Sequence, residues 1–267
     1  MCIRDSNLGV CMFKLNDKVS LITGAGSGIG ESISSLFAKQ GSKIALVDID
    51  ESRCNKIKLE IDKLGVDSKV IQGDVSNGEG CKKIVDQCEE YFGKVDILVN
   101  SAGVTPRYAP DSWSFEKKWD WVIDINLKGT VMMSKYVSEI MLSNGYGSIL
   151  NLSSIIGLVG YAEGLSDGFN PYPHSKGGVV QFTKDMAVKF AKSNIRINAL
   201  CPGFTYTSLT KTLTDDNTMR EKLESLHPMG RLGEPQEIAN AALFFVSDEA
   251  SFITGACVPI DGGYTAQ

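Results

Sequence analysis

The chain has 267 residues and a formal charge of −5, with 43% hydrophobic and 22% charged residues. This composition is typical of a globular protein and excludes a disordered chain. The mild acidity and the lack of a basic run argue against nucleic-acid binding, which needs a basic surface to displace counterions. No stretch of about 18 consecutive apolar residues occurs, so we expect no membrane span.

The cysteine and histidine content bears on redox state and metal binding. The seven cysteines are irregularly spaced, without a Cys-x-x-Cys pair, and there are only two histidines. A disulfide framework or a metal site is therefore not expected. We expect reduced thiols and a cytoplasmic location.

The first residues differ in character from the rest of the chain. Cys2-Ile3-Arg4-Asp5-Ser6 lacks the apolar middle of a signal peptide. Met1 to Ser6 is also what a transposase-end sequencing adapter would encode if it were translated. We therefore expect residues 1–11 to be a non-native leader and residues 12–267 to form a single domain that begins at Met12.

Seven short runs rich in β-branched residues predict strands. Several are apolar at consecutive positions, as in Ile44-Ala45-Leu46-Val47. Continuous apolarity indicates strands covered on both faces, as in a parallel sheet. The predicted strands are Lys18–Thr23, Lys43–Asp48, Lys69–Asp74, Val95–Asn100, Ser148–Ser153, Ile195–Cys201 and Ala256–Ile260.

Segments with helical periodicity separate these strands. The alternation predicts right-handed crossovers and a three-layer α/β sandwich, and no linker divides it. The predicted helices cover about 28–40, 51–64, 77–92, 115–142, 172–192 and 234–247. Two segments interrupt the alternation, Ile155–Pro171 and Phe204–Leu226, and we expect both to form walls of a substrate pocket.

A glycine-rich turn joins the first predicted strand to the first helix. Thr23-Gly24-Ala25-Gly26-Ser27-Gly28-Ile29-Gly30 would let backbone N–H groups approach a pyrophosphate at a helix N-terminus. A glycine turn without any ligand is the alternative. Asp48 ends the second strand, where a carboxylate accepts hydrogen bonds from ribose hydroxyls and repels a 2′-phosphate. This pattern favours NAD over NADP.

A tyrosine and a lysine stand one helical turn apart. Tyr172 and Lys176 share one helix face, and Pro173 is accepted in the first turn. A nearby ammonium and an oxidised nicotinamide would both favour the phenolate, so that Tyr172 could exchange a proton near neutral pH. Taken alone, the pair is also compatible with an ordinary surface contact.

Together, these motifs resemble those of the short-chain dehydrogenase/reductase family, from Leu15 to the end of the chain. Ser101 departs from the family pattern, which has a second asparagine there. The matching positions are Thr23 to Gly30, Asp74-Val75, Asn100-Ser101-Ala102-Gly103, Asn126, Ser154, Tyr172, Lys176, Pro202-Gly203, Thr207 and Asp261-Gly262-Gly263. The resemblance implies a Rossmann fold: a doubly wound, parallel, seven-stranded sheet with helices on both faces.

The resemblance also implies roles for individual residues. Tyr172 would be the general acid/base, and Lys176 would lower its pKa. Ser154 would hold the substrate oxygen, with Ser153 as the alternative, and Asn126 would support a water that links Lys176 to solvent. The implied cofactor-binding residues are Gly24, Ser27, Gly28, Ile29, Gly30, Asp48, Asp74, Val75, Asn100, Ala102, Gly103, Tyr172, Lys176, Pro202, Gly203 and Thr207.

One departure concerns the substrate end of the site. The segment between Ser154 and Tyr172 is longer than is usual in the family, and the additional residues fall within 161–170. Loops accept such insertions at a small entropic cost, so the catalytic geometry can survive. We expect the insertion to affect which substrate binds, because it lies beside the pocket.

The leading hypothesis is an NAD-dependent dehydrogenase that interconverts a small secondary alcohol and a ketone. Two alternatives are an NADPH-dependent reductase of 3-oxoacyl thioesters on acyl-carrier protein and a non-catalytic dinucleotide-binding protein. The resemblance further implies a homo-oligomer, a tetramer or dimer, that uses the helices near 115–142 and 172–192. No nucleic-acid or membrane partner is expected.

Overall fold

The computed structural model describes residues 12–166 and 168–267, so the expected leader of residues 1–11 lies outside the described residues. All seven predicted strands pair in parallel in one sheet, in the order β3-β2-β1-β4-β5-β6-β7. The strands are β1 Val19–Thr23, β2 Lys43–Asp48, β3 Ser68–Gln72, β4 Ile97–Asn100, β5 Gly147–Leu152, β6 Ile195–Pro202 and β7 Cys257–Ile260.

Helices cover both faces of the sheet, which confirms the predicted fold class. The predicted helix over 115–142 is instead two α-helices joined by a π-helical segment, Asp124–Gly129. The predicted irregular segment Phe204–Leu226 contains two short helices. The helices are α1 Gly28–Lys39, α2 Glu51–Asp62, α3 Gly78–Phe92, α4 Phe115–Ile123, α5 Thr130–Asn144, α6 Pro171–Phe190, α7 Lys211–Thr214, α8 Asn217–Ser225 and α9 Pro235–Val246.

Local sequence sets where these helices begin and end. The Asn77 side chain accepts a hydrogen bond from the Gly80 N–H at 2.8 Å to begin α3, and Gly93 ends α3 with φ 74°. At the start of α6, the Asn170 side chain accepts the Tyr172 N–H at 2.9 Å, and Pro171 occupies the first helical position. This cap fixes Tyr172 in the first turn of α6.

The sheet separates two apolar cores. On one face, Ile33 and Phe37 of α1 and Ile238 of α9 pack against alternate strand residues. On the other face, Ile84 of α3 and Val137 of α5 do the same. Burial on both faces explains why the strands read as continuous apolar runs.

The sheet order places a topological switch point between β1 and β4. The chain runs outward from β1 to β2 and β3, and then returns to the other side of β1 as β4. The connections after β1 and β4 therefore diverge to opposite faces and leave a crevice beyond the carboxyl ends of the strands. Ligands of open α/β sheets bind in such crevices.

Candidate active site

A cavity of about 510 Å³ lies in this crevice. It extends from Ile49 and Arg53, beyond β2, to Tyr172 at the start of α6. The predicted residues that line it are Gly24, Ser27, Gly28, Ile29, Asp48, Asp74, Val75, Ala102, Gly103, Ser154, Tyr172, Lys176, Pro202, Gly203 and Thr207.

The glycine turn forms one end of the cavity from backbone alone. Gly24 has φ +64°, and a Cβ there would lie 2.8 Å from the Ala102 Cα. A Cβ on Gly30 would overlap the carbonyl oxygen of Gly24. The Ser27 side chain does not cap α1, so the first N–H groups of that helix stay available for an anion. The turn therefore fits a dinucleotide pyrophosphate.

Asp48 is held in place at the carboxyl end of β2. Its carboxylate accepts hydrogen bonds from the backbone N–H groups of Gly26 and Asp50, each at 3.0 Å. Arg53 also lines the cavity here, and its guanidinium pairs with the Asp50 carboxylate at 3.0 Å. The position of Asp48 suits hydrogen bonding to a ribose.

Ser154 and Tyr172, which are distant in sequence, meet at the other end. The Ser154 hydroxyl accepts the Ile156 N–H at 3.3 Å, and Ser154 and Tyr172 line the same part of the cavity. The Ser153 hydroxyl instead donates to the Lys176 carbonyl at 2.9 Å, within the packing of α6. The geometry thus favours Ser154 over Ser153 as the serine beside the phenol.

Lys176 is buried at the base of the cavity. Its Nζ donates to the Leu152 carbonyl at 2.7 Å and lies 5.7 Å from the centroid of the Tyr172 ring. Burial lowers the pKa of Lys176 to about 8, because a low-dielectric site disfavours the ammonium. This lysine is therefore close to titrating near neutral pH.

Opposing influences act on the pKa of the Tyr172 phenol. Burial raises its pKa well above the ordinary value, and Tyr161 acts in the same direction. Hydrogen bonding to Ser154 and the positive charge of Arg107 lower it. The predicted lowering by Lys176 is thus not produced by the described residues alone, and burial is the larger influence on Tyr172.

Three of the predicted site residues lie behind the cavity wall. Gly30 packs against the glycine turn, as described above. The buried Asn100 amide donates to Ser134 at 3.0 Å and to Asn151 at 2.9 Å, so it braces β4 against its neighbours rather than facing the cavity.

Asn126 is the third of these residues. Its Oδ1 accepts the Val104 N–H at 2.8 Å, and its Nδ2 donates to the Val104 carbonyl at 2.9 Å and to the Ser175 hydroxyl at 3.1 Å. It lies in the π-helical segment, a distortion that often marks functional sites. Asn126 holds the backbone that follows Gly103 beside Lys176.

The sequence did not single out the latch that crosses the cavity, formed by Tyr108, Ser208 and Ser27. The Tyr108 hydroxyl donates to the Ser208 carbonyl at 2.7 Å, and the Ser208 hydroxyl donates to Ser27 at 3.4 Å. The latch joins the segment before α7 to the glycine turn. Its contacts connect residues far apart in the chain, so no local pattern indicates them.

An aromatic and aliphatic cluster, here called the aromatic cluster, packs behind Ser154 and does not line the cavity. Its residues are Ile155, Ile156, Tyr161, Phe204, Leu226 and Tyr264. Lys222 of α8 donates to the Glu163 carbonyl at 3.2 Å and ties this helix to the inserted segment 161–170. The two segments expected to form walls of a substrate pocket therefore meet in this cluster. Among the described residues, only the second segment, with Leu209, lines the cavity.

The two histidines lie outside the main cavity. His174 is exposed, and its ring lies against Trp119, with centroids 5.2 Å apart. His227 is buried against the aromatic cluster, with its ring centroid 5.9 Å from that of Phe204, and its Nδ1 contacts the Leu223 carbonyl at 2.7 Å. Neither histidine is positioned as the acid or base of this site.

Two features are absent from the described ranges, 12–166 and 168–267. No group of three or more His, Cys, Asp or Glu side chains is placed to hold a metal ion there. In that same part of the chain, no helix is both long and apolar enough to cross a membrane.

Fold and site together define a nicotinamide-dinucleotide-binding oxidoreductase. The family profile described as "Enoyl-(Acyl carrier protein) reductase" matches residues 24–265. A solved short-chain dehydrogenase/reductase from Mycobacterium marinum superposes with a TM-score of 0.87 at 30% identity, covering 96% of this chain and 98% of that one. The chain belongs to the short-chain dehydrogenase/reductase family.

Curated relatives show what such chains act on. A 3-oxoacyl-acyl-carrier-protein reductase from Thermotoga maritima is 39% identical, covering 94% of this chain and 98% of its own. A cis-4-hydroxycyclohexanecarboxylate dehydrogenase from Sinomonas cyclohexanicum is 35% identical, with 94% and 97% covered. An NAD-dependent glycerol dehydrogenase from Listeria innocua is 35% identical, with 96% of each chain covered.

These relatives define the reaction class but not the cofactor. The chain is an oxidoreductase of alcohols or ketones with a nicotinamide cofactor, so the non-catalytic alternative is set aside. A dehydrogenase structure from Agrobacterium tumefaciens, 28% identical with a TM-score of 0.83 and covering 96% of this chain and 99% of that one, holds NADP. The Listeria relative is named for NAD.

Proposed function

We propose that this chain is an NAD-dependent dehydrogenase that interconverts a secondary alcohol and a ketone, with Tyr172 as general acid/base. The observation that carries the proposal is the meeting of Ser154, Tyr172 and Lys176 at one end of a cavity whose other end is the glycine turn and Asp48. One cavity thus offers a place for a dinucleotide and a phenol for proton exchange.

The choice of NAD rests on the charges near Asp48. A carboxylate held by two backbone N–H groups repels a 2′-phosphate and accepts hydrogen bonds from ribose hydroxyls. Arg53, a nearby cation, is already paired with Asp50. A 2′-phosphate would therefore meet two carboxylates and only one paired guanidinium.

The residues divide the chemistry between them. When bound, the nicotinamide supplies the acceptor for the hydride that leaves the carbinol carbon. The Ser154 hydroxyl holds the substrate oxygen. The positive charge of an oxidised nicotinamide, when bound, would offset the burial of Tyr172 and favour its phenolate, which takes the hydroxyl proton as the carbonyl forms. In the reverse direction, Tyr172 returns that proton to the carbonyl oxygen.

Lys176 and Asn126 support these two groups. Lys176 lies beneath the Tyr172 ring and, with its pKa lowered to about 8, exchanges protons readily near neutral pH. Asn126 acts here as a positioning residue, because it fixes Val104 beside Lys176. Support by Asn126 of a water linking Lys176 to solvent, which the family resemblance implies, is part of the proposal.

The test has two arms. Reduction of NAD and of NADP is measured with a panel of secondary alcohols, and dissociation constants are measured for NADH and NADPH. We expect turnover with NAD and tighter binding of NADH. We expect Asp48→Ser to narrow this preference by roughly tenfold, the effect of a lost charge interaction of about 1.4 kcal/mol. Tighter binding of NADPH to the wild type would overturn the NAD assignment.

A second candidate, reduction of 3-oxoacyl thioesters on acyl-carrier protein with NADPH, is favoured by the name of the Thermotoga relative. Against it stands Asp48, together with the spacing between Ser154 and Tyr172, which is longer than is usual in the family. Higher kcat/KM for acetoacetyl-acyl-carrier protein with NADPH than for any alcohol with NAD would favour this candidate.

We also propose a cytoplasmic homo-oligomer, either a tetramer or a dimer. Val188 on α6 is 82% exposed and Phe115 on α4 is 56% exposed, which leaves apolar surface on the helices expected to form subunit contacts. The thiols of Cys54, Cys81 and Cys88 are buried and unpaired, which suits a reducing compartment. Light scattering during gel filtration tests the assembly, and a monomeric mass would refute it.

A further inference from the structure

A second, smaller cavity lies behind the Pro202-Gly203 turn. Its volume is about 130 Å³, and Gly203 lines both this cavity and the larger one. Two of its lining residues, Met229 and Arg231, are exposed, so the cavity can be reached from solvent. The proposed reaction does not use this cavity.

One buried nitrogen of this second cavity lacks a partner. His227 lines the cavity and is 3% exposed, yet its Nε2 forms no hydrogen bond with any described residue. Its Nδ1 lies 2.7 Å from the Leu223 carbonyl, which can only accept, so Nδ1 carries the proton of the neutral ring. The Nε2 atom is therefore a buried acceptor without a donor, which costs free energy.

The space in front of this nitrogen exists because residue 203 is a glycine. A Cβ on Gly203 would lie 3.0 Å from the His227 Nε2 and 2.9 Å from the Asp261 Cα. Phe204 and Tyr264 of the aromatic cluster hold the imidazole, with ring centroids 5.9 Å and 5.3 Å from that of His227. The acceptor thus has a fixed position beside the wall that the two cavities share.

The charged groups of the second cavity are already paired. The Arg231 guanidinium lies 2.7 Å from the Glu237 carboxylate. The Asp261 carboxylate accepts hydrogen bonds from the Gly263 N–H at 3.0 Å and from the N–H and hydroxyl of Thr265 at 2.8 Å and 2.7 Å. Since the arginine among the described lining residues is paired, an anionic ligand is disfavoured.

The remaining walls of the second cavity are largely apolar. Phe204, Leu232, Ile238 and Ile260 contribute hydrocarbon surface. The volume is similar to that of an engineered apolar cavity of roughly 150 Å³ that binds benzene. A compact hydrocarbon that carries one hydroxyl group would meet both these walls and the unpaired acceptor.

We infer that the second cavity is a binding site for a small neutral alcohol or phenol, whose O–H donates to the His227 Nε2. The hydrocarbon part packs against Phe204 and Ile238. A ketone or ether of the same size has no donor, so the site selects for a hydroxyl group. Because Gly203 separates the two cavities, this ligand and a dinucleotide occupy different spaces.

The chain has only two histidines, which makes a site-specific test possible. Protein that carries the heavy nitrogen isotope in histidine alone is titrated with phenol and followed by NMR, and His174→Phe assigns the remaining ring signals to His227. We expect phenol to shift the Nε2 resonance toward that of a hydrogen-bonded nitrogen, with NADH present or absent, whereas benzene should not. An Nε2 resonance that phenol does not move overturns the inference.

Affinity and crystallography test the same contact. With NADH present, we expect calorimetry to show phenol bound about fivefold more tightly than benzene, as one hydrogen bond to a buried acceptor gives. His227→Phe keeps an aromatic ring and should bring this ratio near one, while the matched control His174→Phe should keep it.

A crystal structure of the wild type soaked in phenol decides the matter even if His227→Phe does not fold. We expect the phenol oxygen within hydrogen-bond distance of Nε2. Ordered water only in the second cavity, with phenol absent or confined to the larger one, overturns the inference and leaves the proposed function standing.

Discussion

The two ends of the cavity are built differently. The dinucleotide end is made of backbone: Gly24, Gly28 and Gly30 allow close approach, and the short strand β1 places them. The substrate end is made of side chains from separate segments, such as Ser154, Tyr172 and Leu209, and Tyr108 is bonded across it to the Ser208 carbonyl. A backbone site tolerates little change, whereas a side-chain site changes specificity with single substitutions.

The largest expected effect is on the rate of catalysis and lies at the substrate end. Tyr172→Phe removes the proton acceptor but leaves the aromatic ring in place, so we expect kcat to fall by about 10³-fold, within the range for loss of general acid/base catalysis. NADH binding, followed by fluorescence, should persist because the glycine turn and Asp48 are untouched. Comparable activity in this variant would mean that another group moves the proton.

The buried Lys176 predicts a dependence of stability on pH. Its pKa is 10.5 in a model peptide and about 8 in the folded chain, so between these values the folded state binds fewer protons than the unfolded state. Stability therefore rises with pH across this window, and the full cost, about 3 kcal/mol, is present below pH 8.

Lys176→Met removes the pH-dependent free-energy cost of burying the Lys176 ammonium. In urea unfolding without cofactor, the wild type should gain about 3 kcal/mol relative to Lys176→Met between pH 7.5 and 10.5. Because both proteins share all other titrating groups, the difference isolates Lys176. A difference that does not change with pH would show that the ammonium is not desolvated.

Two glycines test whether the dinucleotide end tolerates substitution less well than the region near the inserted segment. A Cβ at Gly30 overlaps the Gly24 carbonyl, while Gly160, near the inserted segment, has nothing within 4 Å. We expect Gly30→Ala to destabilise by about 2 kcal/mol or more and Gly160→Ala to change stability by less than about 1 kcal/mol. Thermal unfolding measures both, and equal effects would remove the contrast.

The smallest expected effect concerns the latch. Tyr108→Phe removes one hydrogen bond, from the hydroxyl to the Ser208 carbonyl, whose net contribution is about 1 kcal/mol. NADH should then dissociate roughly fivefold faster in stopped-flow fluorescence, since the latch crosses the cavity. Tyr91→Phe, on the exposed face of α3, is a control that should leave the rate unchanged. Equal rates in all three proteins would show that the latch does not retain the cofactor.

Most of the fold was predictable because local signals agreed with burial. Continuous apolar runs predicted all seven strands within about two residues at each end, and only strands covered on both faces read in this way. The π-helical segment was not predicted, because Asp124–Gly129 keeps helical periodicity. Helices α7 and α8 were missed because they are short and polar.

Predictions about the site, like those about the fold, succeeded where a local sequence pattern was available and failed where it was not. Residues that follow strands or begin helices, such as Gly24, Asp48 and Tyr172, line the cavity, and their roles in it stay predictions. Contacts between distant segments, such as Tyr108 with Ser208, leave no mark in sequence spacing. The raised pKa of Tyr172 could not be predicted from the sequence either, because it depends on how deeply the phenol is buried.

Isotope transfer tests the central claim, hydride transfer from a secondary alcohol to NAD, most directly. The wild type is incubated with NAD and with cis-4-hydroxycyclohexanecarboxylate or cyclohexanol deuterated at the carbinol carbon, with Tyr172→Phe as the blank. We predict NADH that carries one deuterium and the matching ketone. NADH without deuterium, or no reduction of NAD with either alcohol, would contradict the claim.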